Sequence, residues 1–231
     1  MAYFHTKQYV EAQEAFNNAI EINPCDYDAL FNQGLIKLLH CDYQDGWDLY
    51  EYRWKTKKTE PFRYTQKSMP EKLEEMHGKR TLIWHEQGFG DSIQFSRYVK
   101  LLVELGYQVT FEVQEPLVQL FKDNLNCEVV HEIRTIEDYD FQIPLLSLPK
   151  LFTSTIHSIP KPIDFLLSND NQHRLELQKK RPNIGIAISG NKQHRNNHNR
   201  SIPLSYLAPL TTFGNLIVIQ KELNAADEEL A

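Results

Sequence analysis

Residues 81–95 constrain the possible folds of this chain more than any other stretch of its sequence. They run TLIWHEQGFGDSIQF, which predicts a short buried strand, a turn with two glycines and the start of a helix. Open α/β sheets bind ligands where strands end and helices begin, because backbone N–H groups point outward there. The stretch therefore predicts an α/β fold with a ligand site at this turn, whose glycines would allow close approach to the backbone.

The sequence after residue 79 alternates between short apolar runs and helical stretches, as successive βα units do. Strands are predicted at residues 80–85, 108–113, 128–131 and 140–144, with helices at 91–105, 116–121 and 147–152. This order predicts a Rossmann-like, doubly wound parallel sheet over residues 80–162, which ends at the boundary Pro160-Lys161-Pro162.

A second α/β domain is predicted over residues 163–231. A polar helix near residues 172–180 precedes a strand at 183–188, and a helix from residue 201 leads to a strand at 215–220. Two strands are too few for a doubly wound sheet. We therefore expect an incomplete second Rossmann-like domain and a sequence that is truncated at both ends.

Residues 1–54 show the apolar period of helices and an internal repeat. Ala12 and Gly46 are 34 positions apart, as are Phe16 and Tyr50, and this spacing is that of tetratricopeptide repeats. About one and a half repeats are present, fewer than the three or so that a solenoid needs. The helices therefore either form a concave surface that binds a protein or peptide, or extend the core of the next domain.

Three further predictions concern the packing of this helical segment and the stretch that follows it. Gly34 stands where two helices of a repeat pack closely. Glu51-Tyr52-Arg53-Trp54 ends the last helix, and we expect its aromatic side chains to dock on the neighbouring domain. Residues 55–79 are charged and contain prolines, which predicts a solvated connector.

The composition is typical of a globular protein, with 41% hydrophobic and 24% charged residues. The 25 basic and 31 acidic residues give a net charge of −6, which argues against a nucleic-acid binder. The sequence lacks both a signal-peptide pattern and an apolar run of the roughly 18 residues that a membrane span needs. The three cysteines include no CxxC pair. We expect a cytoplasmic protein without disulfides or a zinc site.

The acidic residue of the glycine turn, Asp91, has two interpretations. Asp is a preferred helix N-cap, which stabilises a helix by about 1 kcal/mol, but a carboxylate at this position could also act as a general base. His85 and Glu86 are competing candidates for the base. A dinucleotide site is disfavoured, because the turn lacks the third glycine of GxGxxG and neither Glu112 nor Glu115 is a convincing ribose ligand.

A second polar loop follows the predicted strand at residues 183–188. Ser189-Gly190-Asn191 leads into a stretch that contains Arg195 and Arg200, in a chain that is otherwise acidic. Arginines at the carboxyl end of a strand suit a diphosphate, because each guanidinium can donate two parallel hydrogen bonds. The alternative is a solvated loop without a ligand.

Four motifs in fixed order give the sequence a resemblance to a known family. They are WHEQGFGDSIQFSRY at residues 84–98, PLLSLP at 144–149, GIAISGN at 185–191 and NRSIPL at 199–204. Together they resemble the bacterial tetratricopeptide-repeat glycosyltransferase-like proteins. These are similar to the lipopolysaccharide heptosyltransferases and, more loosely, to the O-linked N-acetylglucosamine transferases. The resemblance runs from the repeats to about residue 220.

The resemblance implies a GT-B fold, in which the first Rossmann-like domain binds the acceptor and the second binds a nucleotide-sugar donor. It implies inverting chemistry without a metal or a bound cofactor, the nucleotide sugar being a co-substrate. Asp91 matches the proposed base, Arg200 a contact to the donor's phosphates, and Ser189-Gly190-Asn191 the first donor-side turn. The substrate-binding residues would be Gln87, Gly88, Gly90 and Gln94 on the acceptor side, and Ser189, Gly190, Asn191, Arg195 and Arg200 on the donor side.

The sequence departs from this family at two places. His85 stands where a small residue is expected, and the later donor motif, an acidic-Thr-Ser turn before a histidine-bearing helix, has no counterpart before Ala231. We therefore expect weak donor binding by this chain alone. Two hypotheses follow. One is a glycosyltransferase that acts on a glycan, lipid-linked or protein acceptor. The other is a non-catalytic scaffold whose repeat helices bind a protein partner.

Overall fold

The computed structural model describes residues 2–56, 62–152, 155–165, 180–190, 197–220, 223 and 225–228. The chain divides into two compact units, Met1–Ser168 and Asn169–Ala231. The division lies after the predicted boundary at residues 160–162, because Ile163 and Phe165 still pack against the core of the first unit. The predicted helix near residues 172–180 falls almost entirely outside the described residues. Among the described helices, none combines the length and apolar character that crossing a membrane requires.

The first unit begins with a helical segment. Its helices are α1 (Ala2–His5), α2 (Tyr9–Ile22), α3 (Tyr27–Leu39) and α4 (Tyr43–Tyr50), followed by a 3-10 turn at Glu51–Lys55. A Cβ atom on Gly34 would lie 2.9 Å from Leu49 Cβ, and one on Gly46 would lie 2.8 Å from the Leu38 side chain. The close packing predicted at Gly34 is thus confirmed, since any larger residue there would push α3 and α4 apart.

A parallel sheet of four strands follows. Its strands are β1 (Arg80–Trp84), β2 (Gln108–Glu112), β3 (Glu128–Val130) and β4 (Phe141–Pro144), in the order β3-β2-β1-β4. Helices α5 (Phe89–Glu104) and α6 (Val118–Lys122) connect the first three strands, and α7 (Leu148–Leu151) follows the fourth. The predicted α/β fold is confirmed, and the four-stranded parallel sheet is consistent with half of a Rossmann-like domain. The strand order reverses at β1, so the crevice between the carboxyl ends of β1 and β4 is a topological switch point, where such sheets bind ligands.

Different parts of the chain bury the two faces of this sheet. One face packs against α5, α6 and the helical segment through Ile83, Phe111 and Ile143. On the other face, Trp84 is surrounded by the rings of Trp54, Phe62 and Tyr64, at centroid distances of 5.6, 5.6 and 5.8 Å. The docking predicted for the aromatics of residues 51–54 is therefore confirmed for Trp54.

The segment predicted to be a solvated connector packs on the sheet instead. Phe62 and Tyr64 cover Trp84, and Met76 is fully buried in the core on the opposite face. Although the segment is charged, its apolar side chains pack on the sheet, because fully burying one such side chain stabilises the fold by about 1.5–3 kcal/mol. The prediction of a solvated connector is therefore wrong for Phe62, Tyr64 and Met76, whereas charged residues such as Glu74 and Glu75 are exposed as predicted.

The second unit contains a two-stranded parallel sheet. Strands β5 (Asn183–Ile186) and β6 (Asn215–Val218) pair in register, with a 3-10 helix at Leu204–Thr212 between them and the short helix α8 (Ala225–Glu228) after them. Its small core is formed by Ile186, Ile188 and Leu204. The connecting helix has 3-10 geometry. Pro209 lies inside it and lacks the N–H group that an α-helical ladder would need there.

Candidate functional site

The glycine turn links β1 to α5 and carries Asp91 at the first turn of the helix. Helix α5 begins at Phe89, its N-cap is Gly88, and Asp91 is the third helical residue. The N-cap position predicted for Asp91 is therefore wrong. The Asp91 carboxylate instead accepts a hydrogen bond of 3.0 Å from the Gly88 backbone N–H, as the third residue of a capping box does. Aspartate is a suitable residue both at the N-cap and at the third position of a helix. Which of the two positions Asp91 occupies depends only on where the helix starts.

The backbone conformation of the turn does not require glycine at either of its two glycine positions. Gly88 has an ordinary φ of −78°, and Gly90 is also outside the left-handed region. A Cβ on Gly88 would lie 3.5 Å from the Asp91 carboxylate, and one on Gly90 would meet no atom within 4 Å. Neither glycine is needed by the fold, and both leave the surface of the turn open next to the exposed Gln87.

The side chains of Tyr50 and Gln114 fix this turn by hydrogen bonds to Gln87. Gln87 donates to the Tyr50 hydroxyl at 2.8 Å, and Gln114 donates to the Gln87 carbonyl at 2.8 Å. Ser92 in turn donates to the Gln114 side chain at 2.8 Å. Burial raises the pKa of Tyr50 to about 12, so its hydroxyl stays protonated at neutral pH. The backbone around Asp91 is thus tied both to β2 and to the helical segment.

The side chain of Arg53 fills the switch-point crevice. It is 1% exposed and donates to both oxygens of Glu86, from Nε at 2.8 Å and from Nη2 at 2.9 Å. Nη1 pairs with Glu51 at 2.6 Å, and Nη2 also donates to the Ser147 hydroxyl at 2.9 Å. The Leu146 N–H, directly after β4, donates to Glu86 at 2.9 Å. An internal ion-pair network therefore occupies the place where a nucleotide would bind between β1 and β4.

The groups around Arg53 keep its guanidinium charged and packed between two rings. Its guanidinium lies between the rings of Tyr50 and Trp54, at 4.6 and 4.5 Å from their centroids. Burial disfavours its charge, but the neighbouring Glu51 and Glu86 carboxylates leave its pKa raised. Burial raises the pKa of Glu86, and Arg53 opposes that rise. Because the Glu86 side chain is 4% exposed and fully engaged, it is not available as a general base.

A second carboxylate, Glu112, lies at the end of β2, where dinucleotide-binding sheets carry the acidic residue that binds the ribose. The sequence analysis rejected Glu112 as a ribose ligand, yet β2 ends at this residue. Arg63 donates to Glu112 at 2.6 Å, and the Tyr64 hydroxyl donates to its other oxygen. The Glu112 side chain is 3% exposed as a result. Glu112 therefore lies at the ribose-binding position of such sheets, but Arg63 and Tyr64 cover it.

His85, the other candidate for the base, follows β1 directly. Arg63 donates to its backbone carbonyl, and its Nδ1 atom is buried without a hydrogen-bond partner among the described residues. Burial, together with the charge of Arg63, lowers the pKa of His85 to about 4. The ring is therefore neutral at physiological pH and forms part of the packed sheet edge.

The second unit brings together part of the predicted donor-side group. A Cβ on Gly190 would lie 3.3 Å from Arg200 Nη2, so the guanidinium lies directly over this turn. The Ile188 and Ser189 N–H groups donate to the Gln220 side chain at 2.8 and 2.9 Å, which fixes the turn after β5. The other predicted donor-side residues, Asn191 and Arg195, lie outside the described residues.

Comparison with protein-family models, with curated proteins and with solved structures finds no match for this chain. Its function is therefore inferred from its own residues.

The predicted acceptor-side residues lie together on one exposed surface at the start of α5. Gln87, Gly88, Gly90 and Gln94 are all exposed, and Asp91 is partly buried among them. Sequence reasoning missed the network around Arg53, although the position of this arginine within an aromatic stretch is a visible signal. Among the described residues, no cluster of three or more His, Cys, Asp or Glu side chains is placed to hold a metal ion.

Proposed function

We propose that this chain contains the acceptor domain, with part of the donor domain, of an inverting, metal-independent glycosyltransferase of the GT-B type. In the reaction, the acceptor oxygen forms a bond to the anomeric carbon of the donor sugar while the bond to the nucleoside diphosphate breaks. Asp91 takes the proton of the acceptor hydroxyl. Arg200 stabilises the charge that develops on the leaving diphosphate.

The observation that carries this proposal is the state of the Asp91 carboxylate. Its Oδ2 atom accepts the hydrogen bond from Gly88, whereas its Oδ1 atom accepts none from the described residues. One oxygen is therefore fixed by the helix N-terminus while the other is available for an acceptor proton. A base held in this way typically contributes about 10²–10⁴-fold to the rate.

The first unit is better suited to an acceptor than to a nucleotide. Arg53 and Glu86 fill the crevice between β1 and β4, and Arg63 covers Glu112 at the end of β2. A nucleotide there would have to displace ion pairs with little exposure to solvent. The surface that remains open is the one around Asp91, which a saccharide or hydroxyl-bearing ligand could reach.

Binding of nucleoside diphosphates tests the donor half of this proposal. Calorimetry with UDP, GDP and ADP should detect one of them, and Arg200→Ala should weaken that binding by about ten-fold or more, because it removes a charge-assisted contact. Lys100→Ala, on the first unit, serves as the control and should leave the affinity unchanged. An absence of binding at millimolar nucleotide would contradict the assignment.

One observation favours the alternative of a non-catalytic scaffold. The bond from Gly88 to Asp91 is a sufficient structural role for this carboxylate, because it satisfies an N–H group that the helix start leaves open. In that case the repeat helices would carry the function by binding a protein. Absence of nucleotide binding in the calorimetry above is the outcome that this alternative predicts.

A further inference from the structure

One face of helix α5 continues from Asp91 into a pocket. Asp91, Gln94, Phe95 and Tyr98 are spaced i, i+3, i+4 and i+7, so they lie on the same side of the helix. The helix rises about 1.5 Å per residue, which places Gln94 less than one turn from the carboxylate. A ligand that extends along this face would therefore reach Asp91.

The pocket lies between this face and helix α4 of the helical segment. Its volume is about 110 Å³, and its lining includes Tyr43, Trp47, Gln94, Phe95, Arg97 and Tyr98. This is below the roughly 300–1,000 Å³ of pockets for drug-sized ligands, so the pocket can hold at most one ring. The helical segment thus contributes part of the wall of this pocket, in addition to packing on the sheet.

The lining combines aromatic rings with polar groups. Trp47 meets Phe95 edge to face with centroids 5.7 Å apart, and Phe95 stacks on Tyr98 at 6.3 Å. The exposed Gln94 side chain makes no hydrogen bond to the described residues. Arg97 is held in place, because it donates to the carbonyls of Gln94 and Pro160 at 2.8 and 3.3 Å. The site offers apolar ring surface beside a free amide and a fixed cation.

A pyranose ring matches this combination of groups. Its C–H groups form an apolar face that packs against aromatic rings, while its hydroxyls exchange hydrogen bonds with amide and guanidinium groups. We propose that this pocket holds a sugar ring of the acceptor, so that the acceptor is a saccharide that presents a neighbouring hydroxyl to Asp91. This inference rests on the proposed function and specifies the acceptor class for it.

Saturation-transfer NMR with simple methyl glycosides tests the pocket directly. The probes are the methyl glycosides of glucose, mannose and N-acetylglucosamine, added to the unaltered chain at millimolar concentration. We expect saturation of the ring C–H protons of at least one glycoside. Gln94→Ala and Tyr43→Ala should each weaken that binding roughly ten-fold, the change expected from losing one good contact.

Two further variants separate loss of the pocket from loss of the fold. Ile159→Trp would fill the pocket from its rim and should abolish the signal, whereas Glu104→Ala, at the far end of α5, should leave it unchanged. Circular dichroism would verify that each variant folds. Absence of saturation for all three glycosides, or saturation that survives Gln94→Ala, Tyr43→Ala and Ile159→Trp, would overturn the inference.

Different experimental outcomes would refute the pocket assignment and the proposed function. Saccharide binding that depends on Gln94 and Tyr43, without nucleotide binding at millimolar concentration, would refute the glycosyltransferase assignment and leave the assignment of a saccharide pocket standing. Transfer to a peptide hydroxyl without saccharide binding would refute the pocket assignment and leave the glycosyltransferase standing.

Discussion

Glu86 and Asp91 are five positions apart in the chain, and their carboxylates have opposite environments. Glu86 is buried and accepts from Arg53 and from the Leu146 N–H, whereas Asp91 accepts one bond from Gly88 and is partly open. Environment therefore assigns them different roles, one in fixing the sheet edge and one at the surface. The sequence supplied both candidates, and burial separates them.

The lowered pKa of His85 makes a pH-dependent contribution to stability. In the unfolded chain the ring binds a proton below about pH 6.5, whereas in the folded chain it does so only below about pH 4. The unfolded state therefore binds more protons in this window, and the free energy of unfolding falls as pH is lowered from about 6.5 to about 4.

His85→Gln removes this titration. Between pH 7 and pH 4.5 the variant should lose less stability than the unaltered chain, by about 1–2 kcal/mol for a half-buried ring. Urea unfolding at a series of pH values measures the difference, and His157→Gln, in an exposed position, is the matched control. An identical pH dependence in His85→Gln and the unaltered chain would contradict the assigned role.

At the level of elements, Arg53 joins the helical segment to the sheet. It contacts the end of the segment through Glu51, the end of β1 through Glu86 and the residues after β4 through Ser147. The segment therefore packs as part of the first unit. This favours the interpretation of the helices as an extension of the neighbouring core, and one of them, α4, also lines the pocket beside α5.

Removing Arg53 should destabilise the first unit strongly. Arg53→Met leaves Glu86 buried without its partner, and breaking such a pair costs about 3–5 kcal/mol. Lys37→Met removes two ion pairs at the surface, with Asp42 and Asp45, and should cost about 1 kcal/mol or less. Urea unfolding followed by tryptophan fluorescence reports this unit specifically, because all three tryptophans of the chain belong to it.

The double variant Arg53→Met/Glu86→Gln completes this test. It removes the two most deeply buried charges of the network and should recover a large part of the stability that Arg53→Met loses, because only Glu51, whose side chain is 19% exposed, is then left without its partner. Equal unfolding free energies for Arg53→Met and Lys37→Met would show that the network does not hold the segment in place.

The sequence predicts local elements better than the contacts between them. Apolar periodicity gives the four strands and the helices between them, because these depend on neighbouring positions. The close packing at Gly34 follows instead from its position in the repeat. The start of α5 was misplaced because glycine is itself a good N-cap, so Gly88 competes with Asp91 for that position. The pair of Arg53 with Glu86 spans 33 positions, and no local pattern predicts such a contact. The packed connector was missed for a similar reason, since its few apolar side chains lie among many charges.

At the scale of the whole molecule, each unit offers one chemical group to the proposed reaction. The first unit closes its own switch-point crevice and leaves the surface around Asp91 open. The second places Arg200 over the turn at Gly190. In the proposed reaction Asp91 has the role of the base and Arg200 that of the cation that binds phosphate.

The most direct test of this account is sugar transfer by the unaltered chain and by Asp91→Asn, measured with a labelled nucleotide sugar and a saccharide acceptor. Asparagine can still accept the hydrogen bond from Gly88, so the turn and the thermal unfolding temperature should be preserved. We predict that kcat falls by about 10²–10⁴-fold while nucleotide affinity stays unchanged. Equal turnover by Asp91→Asn and the unaltered chain would contradict the account.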